Sequence, residues 1–203
     1  MKREIQEFLL GLFGRGKRLK SLKSAEEPNL KINLVDYLIR FAKSGVGVET
    51  VPYGLALEHR NGPQRGLRFS TIYYDAPHNL VLTHQDESGK LRAIASIGFE
   101  VDLVRLAVVI LQIQGVKGAA KFLKPLRWEK MLIAIATDTS RQFGAKRVEI
   151  IQAEQSRWYR RSPIDEEERS RNALMHLHYD VTARRSGFIL DQAVGRYALN
   201  VNS

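Results

Sequence analysis

Hydrophobic and polar positions follow blocks of different period along this chain, and the periods divide it into elements. Ile5, Phe8, Leu9 and Phe13 recur at helical spacing and predict a short amphipathic helix near the N-terminus. Leu34, Tyr37, Leu38 and Phe41 predict a second helix, with Asn33 as its cap, Asp36 behind it and Gly45 closing it. Residues 46–66 read as turn-rich, because Pro52, Gly54, Gly62, Pro63 and Gly66 interrupt them. The period then shortens to two. Strands are predicted over 67–74, 79–85 and 91–99, the last after a hairpin signal at 87–90. Residues 103–113 are almost unbroken apolar, as expected of a central strand covered on both faces.

Beyond that strand the period lengthens again. Residues 126–143 are apolar nearly all round and predict a deeply packed helix that ends at Gly144. A strand follows over 145–153. Ser162 and Pro163 then open a long helix, with Asp165, Glu166, Glu167 and Glu168 at its positive dipole end and Arg184 and Arg185 at its negative end. Ile164, Leu174, Leu177 and Val181 are its expected buried stripe. Residues 188–191 and 196–201, around Val194 and Gly195, predict a terminal hairpin. The order implies an α/β (α+β) fold with a mixed, mostly antiparallel sheet flanked by helices, not an alternating doubly wound one. It divides into a helical, basic N-terminal extension over 1–50 and an α/β domain over 51–203.

Composition narrows the chemistry. The 203 residues are 44% hydrophobic and 27% charged, which suits a folded domain. There is no cysteine, so a disulfide framework, a thiolate zinc site and a cysteine nucleophile are excluded. The five histidines form no metal-ligating pattern, and His176 and His178 diverge on their helix, so no metal is expected. No stretch reaches the roughly 18 apolar residues of a membrane span, no signal peptide is evident, and a cytoplasmic location is expected. The net charge of +10 favours an anionic partner. Half of it falls in the first 24 residues, where seven basic groups face two acidic ones.

Several joints between these elements carry chemistry. Gln112 and Gln114 alternate on one face at the end of the apolar strand and suit a substrate carbonyl or an ordered water. Gly115, Val116, Lys117, Gly118, Ala119, Ala120 and Lys121 form a flexible cationic turn whose backbone donors suit a phosphate. Glu100, Asp102, Glu149 and Glu154 are the candidate bases, with Glu154 slightly ahead because crevices open at the C-terminal ends of strands, and pairing to a nearby arginine is the default reading of each. Arg157, Trp158, Tyr159, Arg160 and Arg161 interleave three guanidiniums with two aromatics, a pairing that suits stacking and phosphate contact on nucleic acid. An equally available reading has those aromatics plugging the core while the arginines pair with the acidic start of the next helix.

From residue 91 to 201 this order, with the loop 115–120, the helix 126–143, the strand 148–151 and the closing Gly187-Phe188, resembles the GNAT superfamily of acyl-CoA-dependent N-acyltransferases. The resemblance implies a central strand that splays from its neighbour and a glycine-rich loop holding the cofactor pyrophosphate. It departs at two places: Gly115 stands where the family's loop usually carries Gln or Arg, and Ala183 stands where many members carry a tyrosine acid. Tyr179 lies one turn earlier. What the resemblance implies is an acyl-CoA (acetyl-CoA or another) as cofactor and a small-molecule or protein amine as acceptor. Tyr179 would then be the acid and Glu154 the base, with Gln112 and Gln114 orienting the thioester or amine. The reading from another class is a basic nucleic-acid-binding or assembly module that keeps the scaffold without the chemistry.

Overall fold

A computed structural model describes residues 32–43, 52–58, 62–65, 71–142 and 144–201. The amphipathic and basic segments expected over 5–23 lie outside the described residues.

Among the described residues nine strands form two sheets: β1 (Tyr53–Glu58), β2 (Gly62–Arg65), β3 (Thr71–Tyr74), β4 (His78–Gln85), β5 (Leu91–Asp102), β6 (Ala107–Gly115), β7 (Arg147–Ile151), β8 (Ile189–Asp191) and β9 (Arg196–Asn200). The main sheet has the order β1-β4-β5-β6-β7-β9-β8, and β2 and β3 form a separate hairpin. Every neighbouring pair in the main sheet is antiparallel except β6 and β7. The fold is thus mixed α+β, with a mostly antiparallel seven-stranded sheet flanked by helices.

Helix α1 (Leu34–Phe41) is capped as its sequence suggests: the Asn33 carboxamide oxygen accepts the Val35 amide at 3.2 Å. Leu34 and Leu38 enter the common core. The Tyr37 hydroxyl donates to Asp138 at 2.7 Å and ties α1 to the long helix α3 (Trp128–Gln142), whose start is marked by the backbone bridge Ala42–Leu126. A short helix α2 (Ala120–Leu123) precedes α3. Met131, Leu132, Ile133 and Ile135 of α3 are almost wholly buried, in keeping with its apolar sequence, and it packs on β4 and β5.

Five features differ from the pattern-based expectation. First, β1 and β2 occupy part of the region read as turns. Gly54 is accommodated in β1 because a Cβ there would meet the Thr83 hydroxyl at 2.6 Å. Second, the apolar run 103–113 does not begin as a strand. Asp102 folds residues 103–106 into a turn by accepting the Val104 and Arg105 amides at 3.0 Å each, and Leu106 there adopts φ 52°. β6 therefore starts at Ala107 and runs on to Gly115.

Third, the helix expected from residue 126 starts at Trp128. Fourth, the next helix, α4 (Glu166–His176), starts past Ser162 and Pro163. Asp165 takes the cap by accepting the Glu168 amide at 2.8 Å, while the Glu168 carboxylate reaches back to the Ile164 amide. Fifth, the inward face of α4 and its continuation carries Asn172, Met175, Tyr179 and Ala183, whereas Ile164, Leu174 and Leu177 are exposed. Asn172 faces inward because its carboxamide satisfies both backbone groups of Arg160. A π-helical turn, Leu177–Val181, joins α4 to α5 (Thr182–Arg185) and changes the phase of the face. The terminal hairpin forms as expected from β8 and β9.

Candidate functional site at the open end of the central strand

Strands β6 and β7 pair in parallel from Ala107 with Arg147 to Ile110 with Ile150, and stop there, while β6 continues to Gly115. At the same point the register against β5 slips: Gly98 pairs with Gln112 and Phe99 with Ile110, leaving Leu111 as an extra residue. A bulge bends its strand and re-aims the side chains beyond it. Tyr179 fills part of the opening. Its hydroxyl accepts the Ile113 amide at 3.1 Å and reaches the Leu111 carbonyl at 3.4 Å. Burial pushes the phenol up to about 12, so it stays protonated at neutral pH.

Gln112 is buried and fully engaged. Its amide nitrogen donates to the Tyr73 carbonyl and to Gln114 Oε1, both at 2.6 Å, and to Asp75 Oδ2 at 3.2 Å; its oxygen accepts the Asp75 amide at 3.1 Å. Gln112 therefore positions its neighbours, and the Gln114 amide nitrogen is the group left to meet a ligand. Asp75 is held by Trp158, whose indole N–H donates to Oδ2, and by Arg157, 2.5 Å from Oδ1. Burial pushes the Asp75 carboxyl up from its ordinary value, against the lowering pull of these two partners. Arg157 lies over the rings of both Tyr73 and Trp158, at 4.9 and 4.8 Å, and both aromatics are partly exposed. Neither Asp75 nor Tyr73 belongs to a motif visible in sequence; Tyr73 reaches the site on β3 and Asp75 in the connection that follows it.

The five-residue cluster divides. Trp158 faces outward, Tyr159 packs against the core, Arg160 lies 3.6 Å from Glu168, and Arg161 is exposed. The Tyr159 hydroxyl meets His176 Nε2 at 3.2 Å, and His176 Nδ1 meets Asp180 at 2.5 Å. The i,i+4 spacing of His176 and Asp180 was the available signal for this contact.

The turn 115–121 leads into the four-residue α2, not into α3. The Ala119 amide bonds to the Val116 carbonyl at 3.0 Å, and Gly118 takes φ +84°, a conformation that favours glycine. A Cβ on Gly115 would press on Leu123 at 3.3 Å and Trp128 at 3.5 Å. A phosphate at this turn would be met by its own amides and by the exposed Lys117 and Lys121, not by the N-terminus of α3. His84 stacks on Phe122 at 3.9 Å between centroids. Burial first, and the Lys121 charge after it, lower its pKa against a raising backbone bond. Folding then favours neutral imidazole. The stability this gives is present above about pH 6.5 and is lost as pH falls through the depressed value. His84→Gln is expected to narrow the difference between urea midpoints at about pH 7.5 and about pH 5; an unchanged difference would exclude His84 as its source.

The candidate bases occupy different settings. Asp102 builds the turn described above, and Arg105 and the backbone hold its carboxyl well below the usual range. Glu100 lies on β5 opposite Val109. Glu149 is wholly buried among Arg105, Arg147 and Arg196 at 2.9, 3.1 and 3.0 Å. Glu154 is exposed on the 3-10 turn Ala153–Gln155 that follows β7. That turn lies beside the helix carrying Tyr179, since the Ala153 amide donates to Asp180 at 3.2 Å. The structure thus groups Gln112, Gln114, Tyr179, Arg157 and Trp158 with Asp75 around the open end of β6. Glu149 stands on the paired stretch of the strands. Among the described residues no group of three or more metal-ligating side chains occurs, and no helix is long and apolar enough to cross a membrane. Comparison with protein-family profiles, with curated proteins and with solved structures finds no match for this chain.

Proposed function

We propose that the chain is an acyl-CoA-dependent N-acyltransferase-like protein on a GNAT-like scaffold, with the thioester lying along the part of β6 that β7 leaves uncovered. The reading is carried by one observation: the sheet's single parallel pair parts past Ile110, at a bulge, with β6 extending to Gly115. Tyr179 takes the Ile113 amide and the Leu111 carbonyl, and the rest of the edge toward Gly115 would receive an extended chain of amides, such as the pantetheine arm of coenzyme A, by strand-like hydrogen bonds. The amine nitrogen attacks the thioester carbonyl carbon, a C–N bond forms, the C–S bond breaks, and the thiolate leaves. Tyr179, held protonated, supplies the proton to sulfur. Asp75 is better placed than Glu154 to take the amine proton, because it sits with Gln112 and Gln114 at the opening. Gln114 orients the acyl oxygen through its amide nitrogen.

Isothermal titration and thermal melting with acetyl-CoA test the reading. Binding heat and a raised melting temperature are expected, and absence of both at millimolar ligand removes it. For transfer to an amine, the rate is expected to rise as Asp75 ionises, above the ordinary aspartate range. Asp75→Asn should lose about 10²-fold or more in kcat and abolish that acid limb. A retained limb would return the base role to Glu154.

A further inference from the structure

Nine described arginines pair with a carboxylate. Six cations gathered in one region do not: Arg40, Lys43, Lys117, Lys121, Lys124 and Arg127 are all exposed, and none forms an ion pair among the described residues. The fold brings them together from two separate stretches of chain. The Lys43 amide donates to the Pro125 carbonyl at 2.8 Å, and the Arg127 amide donates to the Phe41 carbonyl at 2.9 Å. The end of α1 is thereby fixed beside the segment leading into α3. Lys121 and Lys124 stand three apart on one helical turn, with Lys117 in the turn ahead of it.

Asp36, one turn before Arg40 on α1, forms no ion pair among the described residues, and two other nearby carboxylates are turned elsewhere. Glu129 is taken by His178 at 3.0 Å, and Asp138 by Tyr37 and Arg141. Like charges held close without counterions repel one another, so a surface of this kind is completed by an anion. The six charges are distributed over the end of α1, the approach to α3, α2 and the preceding turn, which suits a repeating polyanion. Four of the six cations lie over residues 117–127, where no large apolar side chain is exposed, although Val35 and Ile39 are exposed on α1; a membrane-docking surface inserts such side chains beside its cations.

We propose that this surface binds the phosphodiester backbone of a nucleic acid, independently of the 157–161 cluster, whose Arg157 and Arg160 already face carboxylates. Contact is through phosphates, so it tolerates any sequence and weakens steeply with salt.

The test uses the full chain and a labelled random-sequence oligonucleotide, as RNA and as duplex DNA, followed by fluorescence anisotropy between about 50 and 200 mM salt. With six contacts, affinity is expected to fall about 10³-fold over that range. The triple variant Lys43→Ala, Lys124→Ala, Arg127→Ala avoids the turn nominated for the cofactor. Its log–log salt slope should be shallower by about 0.9 for each cation removed on duplex DNA. Its melting temperature and acetyl-CoA response should match the parent's, which separates failure here from failure of the acyltransferase reading. The charge-preserving Lys124→Arg variant should retain the parental slope. No binding at about 50 mM salt, equal slopes for parent and triple variant, or tighter binding to phosphatidylserine vesicles than to either oligonucleotide would overturn the proposal.

Discussion

Replacing Glu149 with alanine is expected to destabilise the fold by about 3–5 kcal/mol, the range seen when one member of a buried ion network is removed. The carboxylate is wholly buried on β7 and receives three guanidiniums: Arg105 on one oxygen at 2.9 Å, Arg147 at 3.1 Å and Arg196 on the other oxygen at 3.0 Å. Asp102 and Asp191 complete the network through Arg105 and Arg147, so three carboxylates balance three cations. Glu149→Ala leaves the three arginines converging on an uncompensated site across strands β7, β9 and the turn after β5. Glu149→Gln keeps the volume but aims an N–H group at guanidiniums, and is expected to lose most of the same stability. Urea unfolding of both variants gives the measurement. Midpoints within error of the parent would mean that the carboxylate does not organise the arginines.

Gly98→Ala is the second large effect expected, at about 1–3 kcal/mol, because the added methyl group has nowhere to go. Its Cβ would stand 2.8 Å from the Ala76 Cβ, 2.9 Å from Asn79 Oδ1 and 3.2 Å from the Gln112 Cβ. Asn79 cannot withdraw freely, since its amide nitrogen bonds the Ala76 carbonyl at 3.0 Å. Gly98 pairs with Gln112 at the register slip, so pressure there also displaces the residue that orients Asp75 and Gln114. The variant should therefore show both a lower urea midpoint and an altered tryptophan emission, since Trp158 bonds to Asp75. A stable variant with parental emission would show that the sheet absorbs the methyl group without moving the site.

Parts of the candidate site were legible beforehand. Gln112 and Gln114 stood out as polar residues ending an apolar strand, and Trp158 with Arg157 as aromatics among cations. Their roles were not. Whether Gln112 faces a ligand or spends its amide internally depends on Tyr73 and Asp75, which arrive from about forty residues earlier in the chain. Asp75 carries no local signal, because a single aspartate after a short strand has no spacing that marks it. Glu149 and Asp102 take the arginine pairing that is the default reading of a carboxylate, but residue type does not reveal which arginines supply it. The stripe Ile164, Leu174 and Leu177 misled for a related reason: an asparagine that satisfies a buried backbone occupies the inward face instead.

The amino-acid sequence by itself determined the elements whose signals are local: the capped helix after Asn33, the buried helix before Gly144, strands β4, β5 and β7, and the closing hairpin. Each of these follows from side-chain period, capping and turn chemistry within a few residues. The tertiary structure alone decided where β6 parts from β7, which carboxylates are clamped, and which cations form no ion pair among the described residues. Those outcomes turn on register and on contacts between distant segments. Pairing there is selected by packing and by the desolvation of charge, neither of which is written into any short stretch of chain.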